Sequence, residues 1–187
     1  MESLPDEIGQ LTNTNFLDMT YARQLRTLPE SVSNLKQVTQ LLVGGATSFS
    51  RLPDSIGGMD SLTYAIFSTC PLSALPASFA QLPNLRVVDI SAGNFSSVPP
   101  QLAQLFNGGA GPLLGAYVGN NPFASRMSIA EIEAATGVAC LRDSFFTELA
   151  CGVSCRASPA SGAIDLPLGG NVTIRTDQIV YNGPKLI

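Results

Sequence analysis

The stretch Leu52-Pro-Asp-Ser-Ile-Gly-Gly-Met-Asp-Ser-Leu-Thr-Tyr-Ala-Ile-Phe-Ser-Thr-Cys70 combines two hydrophobic periods in one short unit. Apolar residues recur at every third position from Ile56 to Leu62, which is typical of a short helical or 3₁₀ segment with one buried edge. The period then changes to two at Ala65 and Phe67, which predicts a short strand with alternate side chains buried. A unit of this size cannot bury its apolar edge alone, so it requires neighbours of the same kind.

The same unit occurs five times along the chain. Its Leu-Pro pair begins at Leu4, Leu28, Leu52 and Leu75, with a Val-Pro variant at Val98, so successive intervals are 24, 24, 23 and 23 residues. Each unit also has an inward-facing strand pair, and these pairs are Leu17/Met19, Leu41/Val43, Ala65/Phe67, Val88/Ile90 and Ala116/Val118. Stacked units of this kind share one continuous core, so the repeat determines the fold class.

These repeats resemble the leucine-rich repeat family, in the class written LPxxIxxLxxLxxLxLxxNxLxx. The resemblance extends from about Leu4 to Phe123 and implies an α/β fold, a right-handed solenoid with a parallel sheet on its concave face and a helical C-terminal cap. We therefore expect five leucine-rich repeats in 1–123, without an N-terminal cap. A helical, cysteine-containing C-terminal cap is expected in 124–156, and 157–187 is expected to hold a linker and a β-hairpin or the start of a further domain.

The sequence departs from the family pattern at the buried asparagine that follows each strand. The equivalent positions are Ala22, Ala46, Cys70, Gly93 and Asn121, and only the last is asparagine. Unpaired buried backbone groups cost about 1–3 kcal/mol each, so we expect altered turns or water to compensate and the solenoid to be less regular than is usual in the family. The fifth repeat also contains an insertion, Phe106–Pro112, which predicts a glycine-rich loop.

The two ends of the repeat array differ. No polar cap precedes Leu4, so we expect the first repeat to expose its apolar edge and the chain to be a fragment of a longer protein. After the last repeat, Ser128 and Glu131 form a capping box that predicts a helix through about Thr136. A second helical stretch is expected near Asp143–Ala150. Beyond the linker, Val172–Arg175 and Ile179–Tyr181 are predicted to pair as a hairpin.

The four cysteines fall into two groups. Cys70 occupies a buried position in the repeat and is expected to be a core thiol. Cys140, Cys151 and Cys155 cluster in the expected cap, where extracellular members of the family often carry disulfides, and the resemblance implies one here. Reduced structural thiols remain an alternative, and a zinc site is disfavoured because three cysteines without histidine supply too few ligands.

Composition excludes several functional classes. Charged residues make up 13% of the chain against about 25% in ordinary domains, and 10 basic against 14 acidic residues give a net charge of −4. Nucleic acid and anionic membranes are therefore poor partners, and no apolar run of about 18 residues predicts direct membrane insertion. The absence of histidine excludes Ser-His-Asp and Cys-His catalysis. We expect no cofactor and no metal.

The family resemblance implies that residues between the buried strand positions face the concave surface. A first concave row contains Phe16, Gln40, Tyr64, Val87 and Gly115, a second contains Asp18, Leu42, Ile66, Asp89 and Tyr117, and a third contains Thr20, Gly44, Ser68, Ser91 and Gly119. The first two rows combine apolar and aromatic residues at positions expected to face solvent, which is typical of a protein-binding surface. The predicted partner-binding residues are Phe16, Asp18, Gln40, Leu42, Tyr64, Ile66, Val87, Asp89 and Tyr117.

Catalysis on this face is disfavoured by spacing. Asp18 and Asp89 lie three strands apart, about 14 Å, whereas the paired carboxylates of glycosidases lie about 5–9.5 Å apart. We therefore interpret the chain as a non-enzymatic module that binds a protein or peptide, within a receptor-like or secreted protein located outside the cell or in an ectodomain. The alternatives are a cytoplasmic scaffold for small GTPase or kinase signalling, with reduced thiols, and a purely architectural segment.

Overall fold

Each repeat consists of a three-residue strand followed by a helical return, and the strands stack side by side. The computed structural model describes residues 2–108, 113–126 and 128–136, together with the backbone of 141–142, 172–175 and 178–181. Six strands form one parallel sheet in sequence order: β1 (Phe16–Asp18), β2 (Gln40–Leu42), β3 (Tyr64–Ile66), β4 (Val87–Asp89), β5 (Gly115–Tyr117) and β6 (Leu141–Arg142). The predicted parallel sheet is confirmed, and β6 extends it beyond the five repeats.

The helical returns are 3₁₀ segments in four repeats and an α-helix in the fifth. The 3₁₀ segments are Asp6–Gln10, Glu30–Asn34, Ile56–Gly58 and Ala77–Gln81, and the α-helix is α1 (Pro100–Gly108). The proline of each Leu-Pro pair has a φ suited to entering such a turn, for example −71° at Pro5 and −66° at Pro76. The predicted loop over Phe106–Pro112 is wrong in its first part, because α1 continues through Gly108.

One continuous hydrophobic core lies between the sheet and the helical returns. In the third repeat, Ile56, Leu62, Ala65 and Phe67 are fully buried, as the two hydrophobic periods predict. Each aromatic ring of the core also contacts a ring in an adjacent repeat, since the Phe67 ring stacks on that of Phe49 with centroids 6.2 Å apart. The core therefore runs along the solenoid and is not divided into units.

A glycine allows adjacent helical returns to approach closely. A Cβ atom built on Gly57 would lie 2.2 Å from the carbonyl oxygen of Ser78 in the next repeat, which no side chain can occupy. The equivalent position in the second repeat is Ser33, so the requirement belongs to this particular contact and not to the repeat pattern. Gly57 is thus fixed by packing between repeats.

The turns after the strands adopt one shape despite their different sequences. Backbone φ is positive at the residue before each asparagine-equivalent position: Tyr21, Gly45, Thr69, Ala92 and Asn120. In the first repeat the Ala22 N–H donates to the Met19 carbonyl at 3.0 Å, and the Leu25 N–H donates to the Ala22 carbonyl at 2.9 Å. The expected compensation by altered turns is therefore confirmed in this repeat, because a second β-turn satisfies groups that an asparagine side chain would otherwise bond.

The segment after the fifth repeat begins as predicted. Helix α2 spans Ile129–Thr136, and its capping box is formed: the Glu131 N–H donates to Ser128 Oγ at 3.3 Å, and the Ser128 N–H donates to Glu131 Oε2 at 2.7 Å. Ile132 is buried against the repeat core. The helical stretch expected near Asp143–Ala150 lies outside the described residues.

The predicted pairing near the C-terminus is confirmed at the level of the backbone. Strands β7 (Val172–Arg175) and β8 (Gln178–Tyr181) are antiparallel, with Val172 opposite Tyr181 and Arg175 opposite Gln178. At the other end of the array, the first repeat exposes apolar side chains as expected. Leu11 is 55% exposed, whereas Leu35 and Leu82, at the same position in later repeats, are buried.

Candidate functional site: the concave face of the sheet

The strand register brings the predicted concave residues into continuous rows. Phe16 pairs with Gln40, Gln40 with Tyr64, and Tyr64 with Val87, which assembles the first concave row. The second concave row is formed in the same way by Asp18, Leu42, Ile66, Asp89 and Tyr117. The alignment predicted from the sequence is therefore confirmed at every strand from β1 to β5.

The rows are most accessible in the first three repeats. Phe16 is 45% exposed and Asp18 is also exposed, while Gln40, Leu42, Tyr64 and Ile66 are half-buried. Half-burial is usual for side chains that stand side by side on one face of a sheet, because neighbouring strands are only about 4.8 Å apart. Tyr117 in β5 is also half-buried. These residues form a surface that is largely apolar and reachable by a partner.

Two of the nine predicted residues do not face solvent. Val87 is 7% exposed and Asp89 is fully buried, so the prediction that they lie on an open surface is wrong. The physical reason is lateral packing. Val87 stands next to the larger Tyr64, and Asp89 stands between Ile66 and Tyr117, whose side chains are longer. Strand register fixed the row, but the size of the neighbours fixed the exposure.

Two carboxylates in the second concave row make the same local turn. Asp18 Oδ1 accepts hydrogen bonds from the Thr20 N–H at 2.8 Å and the Thr20 hydroxyl at 2.5 Å. Asp89 Oδ1 accepts the equivalent bonds from the Ser91 N–H at 2.8 Å and the Ser91 hydroxyl at 2.6 Å. Sequence reasoning missed this turn, although the Asp-x-Ser/Thr pattern at the end of a strand is a signal that could have identified it.

The second oxygen of Asp89 is the unusual group on this face. Asp89 Oδ2 is buried and has no hydrogen-bond partner among the described residues. Burial raises the pKa of this carboxyl, and the bonds from Ser91 oppose that shift only in part. A buried, unsatisfied carboxylate oxygen destabilises the free chain, so it requires an explanation.

The described cysteine is not a reactive group. Cys70 is buried, its thiol donates a hydrogen bond to the Val43 carbonyl at 3.2 Å, and burial raises its pKa to about 11. The expectation of a core thiol is confirmed, and a thiol of this kind is protonated and inert at neutral pH. Cys140, Cys151 and Cys155 lie outside the described residues, so the disulfide remains a prediction.

Other site types are not found in the described parts of the chain. No group of three potential metal ligands occurs there. Two surface depressions, of about 460 and 310 Å³, lie away from the concave face. The first is lined by Gly93, Asn120, Asn121, Pro122, Ala124 and Ser125. No helix in the described ranges is long and apolar enough to cross a membrane.

The separation of the two concave carboxylates agrees with the sequence argument. Asp18 in β1 and Asp89 in β4 are three strands apart in the register, or about 14 Å at the usual strand spacing. Paired-carboxylate hydrolysis needs a shorter distance. The concave face is therefore better suited to contact a partner than to cleave one.

No family model matches the sequence. Among curated proteins, the chain is similar to TMV resistance protein N of Nicotiana glutinosa, with 34% identity over 109 residues. That match covers 56% of this chain but only 9% of the resistance protein. The chain thus corresponds to less than a tenth of the length of this relative.

Solved structures with the same architecture are also leucine-rich-repeat proteins. A leucine-rich-repeat protein of Leptospira interrogans matches with a TM-score of 0.51 and 24% identity, over 64% of this chain and 30% of that chain. A plant peptide hormone receptor in complex with RGF2 matches with a TM-score of 0.44 and 20% identity, over 64% and 26% of the two chains. At this level of identity, the bacterial match shows the fold.

Proposed function

We propose that this chain, a leucine-rich-repeat protein, is a non-enzymatic recognition module that binds a protein or peptide on its concave face. The observation that carries the proposal is the run of half-buried Leu42, Tyr64 and Ile66 on β2 and β3, next to the exposed Phe16. These side chains are aligned by backbone pairing and not by the core. They have no structural need to be apolar, since their strand partners alternate into the core at Leu41 and Ala65.

A surface of this composition gains free energy when a partner covers it. Removing apolar area from water contributes about 25 cal/mol per Å², and aromatic anchors such as Tyr64 are frequent among the residues that dominate binding. The sheet also holds these residues in a fixed arrangement, so little conformational entropy is lost when a partner docks. The similarity to part of a much longer resistance protein supports a role for this module within a larger recognition protein.

The test uses peptides because the partner is unidentified. A library of random dodecapeptides displayed on phage is selected against the immobilised chain, and captured peptides are remade with a fluorescent label for anisotropy. Ile66→Lys places a charge at the centre of the apolar run, and we expect it to weaken binding at least ten-fold. Gln81→Lys is the matched control, because Gln81 is exposed on a helical return and off the concave face.

Circular dichroism of both variants confirms that the fold is kept. Equal binding by the parent chain, Ile66→Lys and Gln81→Lys would rule out the concave face as the site. A second arm, Tyr64→Asp, tests the neighbouring aromatic position in the first concave row. Failure of the library to yield any binder that depends on Ile66 or Tyr64 would contradict the proposal as a whole.

The cellular context is a separate part of the proposal. A receptor-like or secreted protein is expected to contain a disulfide among Cys140, Cys151 and Cys155, whereas a cytoplasmic scaffold is expected to keep four free thiols. Alkylation followed by intact mass, with and without reductant, on protein from its native source separates these alternatives. Cys70 must be unfolded before alkylation, because it is buried and its pKa is raised to about 11.

A further inference from the structure

The second concave row has a charge pattern as well as an apolar one. From β1 to β4 it reads Asp18, Leu42, Ile66, Asp89, with an acid at each end and two branched aliphatic side chains between. No basic residue belongs to this part of the row. Backbone register continues the row through Tyr117 to Arg142, so the acidic part ends at β4.

We propose that the second concave row binds an extended partner segment with two basic residues four positions apart and an apolar residue midway between them. This inference rests on the proposed function and specifies its ligand. The basic residues are lysine or arginine, and they pair with the carboxylates of Asp18 and Asp89. The central apolar side chain contacts Leu42 and Ile66.

The spacing follows from the geometry of the two chains. Asp18 and Asp89 are three strands apart, about 14 Å, and an extended peptide advances about 3.4 Å per residue, so four residues cover about the same distance. Side chains of an extended chain alternate between its two faces, so positions 1, 3 and 5 face the sheet together. The row therefore selects a basic-x-apolar-x-basic pattern, in which positions 2 and 4 point away.

The state of the carboxylates points to a cationic ligand. In both residues Oδ1 is already occupied by the turn to Thr20 or Ser91, which fixes the direction of the second oxygen. Asp89 Oδ2 is buried with no hydrogen-bond partner among the described residues, and an arginine or lysine N–H donor would satisfy it. Asp89 is covered in the free chain, so pairing requires the flanking Ile66 or Tyr117 side chain to rotate.

The library selection described above also tests this pattern. Among peptides whose binding is lost with Ile66→Lys, we expect two basic residues at a spacing of four to occur more often than in the unselected library. One such peptide is then measured by fluorescence anisotropy against Asp18→Asn, Asp89→Asn and the double variant. We expect each single variant to bind a few-fold more weakly and the double variant about ten-fold more weakly.

Two controls keep the result interpretable. Asp54→Asn removes an exposed carboxylate that pairs with Arg51 away from the concave face, so it should bind like the parent chain. Replacing each basic residue of the peptide by glutamine tests the same pairing without altering the protein, which guards against a variant that misfolds. The glutamine peptides should lose as much affinity as the double variant loses.

The outcomes separate this inference from the proposed function. Peptides that depend on Ile66 but lack paired basic residues, or that bind Asp18→Asn/Asp89→Asn as well as the parent, overturn the basic pattern and leave the concave site intact. Enrichment of basic residues at some other spacing overturns the extended geometry. A library that gives no binder dependent on the concave face overturns both.

Discussion

The first and the fifth repeats solve the same backbone problem by different means. In the first repeat the asparagine-equivalent position is Ala22, and the Leu25 N–H is satisfied by the Ala22 carbonyl in an additional β-turn. In the fifth repeat, Asn121 Oδ1 accepts the Phe95 N–H at 3.1 Å, while its Nδ2 donates to the Ile90 and Val118 carbonyls at 2.9 and 2.8 Å. The comparison shows that one backbone turn can be held either by local bonds or by a side chain that links two repeats.

The difference has a counterpart in repeat length. The 24-residue repeats have three residues between the asparagine-equivalent position and the next buried one, as from Ala46 to Phe49, whereas the 23-residue repeats have two, as from Gly93 to Phe95. The additional residue allows the Phe49 N–H to reach the Ala46 carbonyl at 2.9 Å. A longer repeat can therefore dispense with the asparagine, and a shorter repeat depends on its neighbour.

The largest expected effect breaks the side-chain solution. Asn121→Ala leaves the Phe95 N–H and the Ile90 and Val118 carbonyls without this partner, and unsatisfied buried groups cost about 1–3 kcal/mol each. We expect a loss of about 3 kcal/mol in the free energy of unfolding, measured by urea denaturation. The control Asn84→Ala removes one exposed hydrogen bond to the Asp60 carbonyl and should cost less than about 1 kcal/mol. Equal losses would contradict the assigned role of Asn121.

A smaller effect is expected at the intermediate case, Cys70. Its thiol reaches the Val43 carbonyl, which is equivalent to the Ile90 carbonyl bonded by Asn121, but it makes that one bond only. Cys70→Ala should cost about 1 kcal/mol of unfolding free energy. Cys70→Ser retains a donor at this position, so recovery of part of the loss in urea denaturation assigns it to the hydrogen bond. No recovery would assign the loss to packing of the sulfur.

The smallest effect concerns the two Asp-x-Ser/Thr turns, which differ in exposure. Because the pKa of Asp89 is raised in the folded state, the folded chain binds this proton more tightly than the unfolded chain does. The associated stability is fully present below the ordinary carboxyl pKa of 3.8 and is lost as pH rises through the folded-state pKa. Asp89→Asn removes that loss, so we expect it to gain about 1 kcal/mol relative to the parent chain between pH 3.5 and pH 7.

Thermal unfolding at several pH values measures this difference. Asp18→Asn is the matched control, because Asp18 makes the same turn at an exposed position. A pH-dependent gain for Asp18→Asn as large as that for Asp89→Asn would show that burial is not the cause. No gain for either variant would contradict the raised pKa of Asp89.

Much of the fold and the alignment of the site could be predicted from the sequence. The change of period from three to two located the helical returns and the strands, and the constant offset between repeats placed Phe16, Gln40 and Tyr64 in one row. The Ser128–Glu131 capping box was also readable, because its interactions lie within four residues. Each of these features depends on local geometry or on a strict repeat.

Other features depended on contacts that the repeat does not encode. The burial of Val87 and Asp89 follows from the size of side chains on adjacent strands, and the requirement for Gly57 follows from one close approach to Ser78. The fifth return is an α-helix where the other four are 3₁₀ segments, a difference that the interval of three did not distinguish. The partner-binding role of the concave residues is still a prediction.

The sequence by itself determined the solenoid, the order and register of its strands, and which residues share the concave face, because a period of 23 or 24 residues allows only one way to bury every apolar edge. The tertiary structure decided which of those residues water can reach, and how each turn satisfies its backbone. Exposure and hydrogen bonding depend on the particular side chains that stacking brings together, such as Asp89 between Ile66 and Tyr117, and these neighbours lie more than twenty residues apart in the chain.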